Sequence, residues 1–209
     1  MLASVIDAAK ANKVGLLKAL LEQEGAPDAA VVFQKKDEDG RSALHWACAE
    51  GSVDTLKFIL ENCGDAKKLL RFQDDIGWTP LMSACSAGRT EVVKLLLSSK
   101  ADANQRSAKG QIPLHYHKGN EAILDLLIPR TINLDRKDKY GSTPLSRAVC
   151  LGEIEAVETL LTAKADVHTI DSAGDTLLHM AASNKDDNMV RVWWLLLVET
   201  SRLSFLWWV

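Results

Sequence analysis

A chain of 209 residues and 22.9 kDa, 47% hydrophobic and 25% charged, has the balance of an ordinary soluble protein and the length of a single compact domain or a short solenoid. Its net charge of −3 and pI near 6.0 speak against a nucleic-acid surface, which needs a basic field. The four cysteines, Cys48, Cys63, Cys85 and Cys150, include no CxxC pair, so buried thiols in a reducing compartment are expected.

In chain order, residues 1–36 read as a degenerate first helical unit, an N-terminal cap. Ile6, Ala8 and Ala9 fall on one helix face and Leu16, Leu17 and Leu20 on a second; Gln23 to Ala30 and Lys35 to Asp39 are polar connections. No basic stretch followed by an apolar run opens the chain, so a secretory leader is not expected. From Gly40 the sequence repeats. Gly40, Gly77, Gly110, Gly141 and Gly174 are spaced by 37, 33, 31 and 33 residues, each followed by one phrase: Ser42-Ala-Leu-His45, Thr79-Pro-Leu-Met82, Ile112-Pro-Leu-His115, Thr143-Pro-Leu-Ser146 and Thr176-Leu-Leu-His179.

The repeat between Asp75 and Arg106 shows the physics most plainly. Thr79 caps a helix, Pro80 occupies its first position, and Leu81, Ala84 and Cys85 give it a small packable face. Gly88 stops it in the left-handed conformation. Val92, Val93, Leu95 and Leu96 then repeat at helical spacing, so truncating Leu95 or Leu96 is expected to cost core stability. Turn, helix, turn, helix in about 33 residues resembles the ankyrin repeat. The expected fold is therefore an all-α solenoid of stacked helix-turn-helix units, about six counting the cap: 1–36, 37–74, 75–106, 107–137, 138–170 and 171–197, with an atypical tail at 198–209.

Three units depart from the pattern. The 37–74 unit carries four extra residues in Asn62–Arg71, read as a lengthened loop. The 107–137 unit is two residues short around His115-Tyr-His-Lys-Gly119, so its first helix is expected to be shortened or distorted, since two residues turn a helix by roughly 200°. In the last unit Lys185 replaces the helix-stopping glycine. The tail holds Trp193, Trp194, Trp207 and Trp208 and ends in apolar Leu203–Val209; Glu199, Ser201 and Arg202 interrupt it and it is too short to span a membrane. It is read as a replaced end, of gene-model or splicing origin, in preference to a packed last helix.

No catalytic constellation emerges. His45, His115 and His179 sit in the repeat phrase, where the ring serves neighbouring backbone. His115-x-His117 lacks a third metal ligand nearby. No phosphate-cradling loop, nucleophile elbow or nucleophile–base pair is present, so neither enzyme, metal nor cofactor is expected. What remains is a surface of turn tips and first-helix positions, expected to be concave. Candidate partner-binding residues are Asp39, Arg41, Trp46, Glu50, Asp75, Trp78, Arg89, Lys118, Tyr140 and Arg147. Acids and two tryptophans mark the first two full repeats. Lys109, Lys118, Lys139 and Arg147 mark the next two, a polarity suited to a partner of opposite gradient. Trp46 and Trp78 are the expected anchors, with Arg41 pairing to an acidic partner residue.

The phrase Gly40-Arg-Ser-Ala-Leu-His-Trp-Ala-Cys-Ala-Glu-Gly51 resembles the gankyrin family, as do the Gly77-Trp78 turn, Ser83–Arg89, Leu114–Tyr116 and Lys137–Tyr140. The resemblance covers residues 1 to about 190. It implies a non-ATPase assembly chaperone of the 26S proteasome regulatory particle. Such a protein binds the C-terminal domain of a base ATPase subunit through its concave face, acts as a monomer in cytoplasm and nucleus, and touches neither nucleic acid nor membrane. Arg41, Trp46, Trp78 and Arg89 match motif residues of that face. The family's Leu-x-Cys-x-Glu motif is not matched by Leu178-His-Met-Ala-Ala182. The competing readings are an ankyrin adaptor for a kinase or transcription factor, and the ankyrin part of a truncated enzyme.

Overall fold

A computed structural model describes residues 4–23, 29–183, and residues 192, 196 and 198. Every described element is helical apart from two isolated bridges, Lys36 with Ser42 and Ile170 with Thr176. The helices are α1 (Val5–Lys10), α2 (Val14–Gln23), α3 (Ala29–Phe33), α4 (Ala43–Glu50), α5 (Val53–Asn62), α6 (Ala66–Leu70), α7 (Pro80–Ser86), α8 (Thr90–Ser98), α9 (Glu121–Leu127), α10 (Pro144–Leu151), α11 (Ile154–Thr162) and α12 (Leu177–Ser183). The described residues fall into two compact units, divided between Lys109 and Gly110. The all-α helix-pair repeat expected from the sequence is what forms.

In the first unit α4 packs on α1 and on α7, so the first helices of successive repeats form one layer, and α5 packs on α2 and α8 in a second. The core between them is Ala8, Ala9, Leu17, Leu44, Ala47, Cys48, Leu56, Ile59, Leu81, Ala84, Cys85, Val93 and Leu96, each 0–1% exposed. Alanine and cysteine at these sites let adjacent helix backbones approach closely. In the second unit α10 packs on α11 and α12, and α11 on α9.

The turns explain the repeating glycine. Three residues before it stands an aspartate whose Oδ1 accepts two backbone N–H groups: Asp37 from Asp39 and Arg41, Asp74 from Ile76 and Trp78, Asp138 from Tyr140 and Ser142, Asp171 from Ala173 and Asp175. Gly77 has φ +75°, and a Cβ there would lie 2.4 Å from the Ala108 nitrogen of the next turn, so only glycine fits. The Thr79 and Thr143 hydroxyls cap α7 and α10 at Met82 and Ser146, with Pro80 and Pro144 leading each helix as expected. The phrase histidines stitch repeats: His45 Nε2 lies 3.0 Å from the Trp78 carbonyl and His115 Nε2 3.2 Å from that of Ser142.

Three expectations need correcting. Ala29 and Ala30, read as the end of a polar connection, instead open α3, which goes on to bury Val32 and Phe33. The extra residues at 62–71 are not a plain loop, because Asp65 caps α6 and Leu69 and Leu70 are buried. In α8 the buried residues are Val92, Val93, Leu96 and Leu97, whereas Leu95 is half-exposed. The shortened third repeat behaves as expected: its first helix is reduced to a 3₁₀ turn, Pro113–Tyr116. Of the last repeat, Val192 and Leu196 are buried. Lys185, the tail tryptophans and Leu203–Val209 lie outside the described residues.

Candidate protein-interaction surface

In the first unit the Asp–Gly turns project Glu38, Asp39, Asp75 and Ile76 into solvent, with Ile76 52% exposed. Adjacent tips are joined backbone to backbone: the Asp75 N–H donates to the Asp39 carbonyl at 3.2 Å and the Ala108 N–H to the Ile76 carbonyl at 3.1 Å. The rims are thereby held at fixed spacing, a rigid display suited to recognition.

Behind the tips lies a cation–aromatic cluster. The Arg41 guanidinium sits 5.0 Å from the Trp46 ring centroid and 5.8 Å from that of Trp78, and its Nε is 3.3 Å from Asp74 Oδ2. Lys10 Nζ stands 3.8 Å over the Trp46 ring. The Trp46 indole N–H donates to Asp37 Oδ2 at 2.6 Å. Burial works against the Asp37 carboxylate, yet the bonds from Trp46 and the turn backbone hold its pKa below the usual value. Arg41, Trp46 and Trp78 are all half-buried, so the two tryptophans expected to project are each already engaged by the Arg41 guanidinium. The Arg41 charge is engaged by Asp74, whose side chain is only 1% exposed.

Arg89 is exposed and its Nε donates to the Ala49 carbonyl at 3.0 Å, at the end of α4. Glu50 next to it is exposed. In the second unit Tyr140 projects from its turn, 58% exposed, and Lys118 is exposed. Arg147 is half-buried: its Nε donates to the His115 carbonyl at 2.9 Å and its guanidinium lies 5.8 Å from the Tyr116 ring. The ten candidates therefore divide. Asp39, Glu50, Asp75, Lys118 and Tyr140 meet solvent directly, while Arg41, Trp46, Trp78, Arg89 and Arg147 also bind neighbouring repeats together.

Sequence reasoning missed Lys10 and Asp37 in the tryptophan cluster. The constant place of Asp37 three residues before a turn glycine was a usable signal; nothing in the local sequence marks Lys10. It also missed the pair His117 and Glu153. His117 is 1% exposed, its Nδ1 accepts the Gly119 N–H at 3.0 Å and lies 3.2 Å from Glu153 Oε2. Burial pushes His117 down to about 4 and Glu153 upward, so it penalises the charged form of each. Cys48 and Cys85 are fully buried, and burial pushes both thiols far above their usual pKa, which makes them inert core groups. Among the described residues no cluster of three metal-ligating side chains forms, and no helix is long and apolar enough to cross a membrane.

Rigid turn tips on a layered helix stack define a repeat scaffold that binds other proteins. Comparison with known proteins gives the family: the ankyrin-repeat profile, three copies, matches residues 5–107 and 99–171. The chain belongs to the ankyrin-repeat family. It is 36% identical over 157 residues to neurogenic locus notch homolog protein 1 of Danio rerio, which covers 74% of this chain and 5% of that protein. It is 31% identical over 91 residues to ankyrin repeat domain-containing protein 13B of Homo sapiens, 42% of this chain and 14% of that one. A 70-residue stretch is 40% identical to the nuclear factor NF-kappa-B p105 subunit of Gallus gallus, 34% of this chain and 7% of that one. The chain thus spans only a small part of the length of these relatives.

Proposed function

We propose that this scaffold is of the gankyrin type: a non-catalytic assembly chaperone of the 26S proteasome regulatory particle. It binds the C-terminal domain of one base ATPase subunit, as a monomer, in cytoplasm and nucleus. The observation that carries the reading is the Gly40–Gly51 phrase together with the Gly77-Trp78 turn. Their Trp46 and Trp78 both lie within 5.8 Å of the Arg41 guanidinium, behind the exposed Asp39 and Asp75. Half-buried aromatics flanked by a charged rim have the make-up of an interface centre. The fully buried thiols of Cys48 and Cys85 suit a reducing compartment.

Calorimetry with the isolated ATPase domain tests the reading. One-to-one binding is expected. Asp39→Lys with Asp75→Lys should weaken it by about ten-fold or more without unfolding the chain, since both side chains are solvent-exposed. Trp78→Ala should cost about 2 kcal/mol of binding, provided circular dichroism shows the fold retained. Absence of binding removes this reading. A second reading is an ankyrin adaptor for a kinase or transcription regulator. It draws on the likeness of 74% of the chain to neurogenic locus notch homolog protein 1 and of 34% to the nuclear factor NF-kappa-B p105 subunit. Identification of the proteins captured by the tagged chain from cell extract separates the two.

A further inference from the structure

At two junctions a side chain from the next repeat roofs the glycine that follows the first helix. A Cβ on Gly51 would lie 3.1 Å from the Arg89 Cδ, and one on Gly119 would lie 3.3 Å from the Glu153 Cδ. Arg89 and Glu153 hold the same place, as the residues that precede α8 and α11. Their chemistry is opposite. Arg89 is a permanent donor and takes the Ala49 carbonyl at 3.0 Å. Glu153 only accepts when ionised, and it meets another acceptor: its Oε2 lies 3.2 Å from His117 Nδ1. That Nδ1 accepts the Gly119 N–H at 3.0 Å, so the neutral ring carries its hydrogen on Nε2.

This junction is one donor short. Glu153 Oε2 is shut from solvent and has no hydrogen-bond partner among the described residues. The Gly119 N–H, already bonded to Nδ1, also acts on the Glu153 carboxylate, so one donor serves two acceptors. One added proton from water removes the deficit and leaves the pair without net charge, the condition that burial favours. We propose that a single proton held between Glu153 Oε2 and His117 Nδ1 latches the third repeat to the fourth, and that its loss as pH rises frees the Lys118-Gly119 turn from α11. The turn needs holding, because Lys118 has φ +48° and Gly119 +66°, and a lysine there costs free energy that its surroundings must offset. Arg147 of α10 opposes a proton on either partner; Lys118 opposes one on Glu153, and His115 one on His117. Burial of Glu153 outweighs its two cations, so the latch closes as pH falls through a midpoint above the usual carboxylate range. A second proton, on His117, is refused until about 4. The turn carries the exposed Lys118, so the proton also sets how that charge is displayed, whatever the partner.

The test is a pH titration of the ¹³C,¹⁵N-labelled full chain followed by NMR. The Glu153 carboxyl carbon and the Gly119 amide should move together, with one midpoint above the usual carboxylate range. Exchange of the Gly119 amide, corrected for its intrinsic pH dependence, should be about ten-fold faster above that midpoint than below it. Glu153→Gln places a permanent N–H donor beside Nδ1 and should keep Gly119 protected at every pH, with no step. His117→Ala restores the alanine of the other repeats and should return Glu153 to an ordinary carboxylate titration. An ordinary titration of Glu153 in the wild type, a Gly119 amide indifferent to it, or a pH step that survives in Glu153→Gln would each overturn the proposal.

Discussion

Arg41→Ala decides whether this arginine is a staple or a ligand. The substitution removes one charge-assisted contact at 3.3 Å and two cation–aromatic contacts at 5.0 and 5.8 Å. An exposed ion pair contributes about 0.2–1 kcal/mol, whereas breaking a buried one costs about 3–5. This pair lies between those limits, because Arg41 is 20% exposed and Asp74 1%. Asp74 also keeps the N–H groups of Ile76 and Trp78 on its other oxygen, which offsets its burial after the arginine is gone. That places the pair near 1 kcal/mol. The ring contacts are close to the roughly 6 Å limit and add about 0.5 kcal/mol each. The sum is about 2 kcal/mol, a fall of about 4–8 °C in Tm for a chain of this size. Urea and thermal melts of wild type, Arg41→Ala, Trp78→Ala and the double variant measure it. A coupling of about 0.5–1 kcal/mol between the two sites is expected. If Arg41→Ala melts as wild type while its binding to the ATPase domain proposed as partner collapses, the staple reading is wrong and the guanidinium acts on the partner.

Three further outcomes are expected. Leu96→Ala should cost about 2–5 kcal/mol and Leu95→Ala less than half of that, since Leu96 is fully buried and Leu95 is not; equal urea midpoints would refute the burial assignment. Gly77→Ala should lower stability by more than about 1 kcal/mol, because φ is +75° and the new methyl meets the Ala108 nitrogen; an unchanged melt would show that the turn is not fixed. Stability should fall as pH drops below about 6.5. Burial lowers the native pKa of His45, His115 and His117, the last to about 4, so the unfolded chain takes up protons that the folded one refuses. Glu153, raised by burial, binds its proton earlier in the folded state and offsets part of that loss. Urea midpoints at several pH values should show a shallower slope for His117→Asn; a flat profile for wild type would refute the argument.

The fold was readable in the sequence where the backbone itself imposes a residue. Gly77 must tolerate positive φ beside another turn, Thr79 must cap and Pro80 must lead a helix, so these positions repeat in register and survive single-sequence reading. α3 and α6 escaped because five residues hold little more than one turn, too few for a periodic pattern. They are helical because Val32, Phe33, Leu69 and Leu70 find tertiary cover, which no local window contains. The candidate site was legible as residue types but not as geometry. Arg41 reaches Asp74 across 33 residues, one repeat length, so the charge that looked available to a partner is engaged by the next turn.

The third repeat shows how such cross-repeat contacts absorb a deletion. In the short repeat His117 stands where the other repeats have Ala47, Ala84, Ala148 and Ala181, and it is buried, as is Tyr116. A helix cut to one 3₁₀ turn exposes carbonyls that a full helix would bond. Arg147 of the following repeat takes the His115 carbonyl, while the Tyr116 hydroxyl donates to Gln111, whose amide in turn donates to Asp138 at 2.8 Å. The neighbouring repeat thus supplies the partners that the missing turn would have provided, and the array continues into α10 with its Thr143 cap intact. Arg89, from a different repeat position, donates to the Ala49 carbonyl at a helix that has lost nothing. Arg89 and Arg147 thus each reach back to a carbonyl of the preceding first helix, from different positions in their repeats.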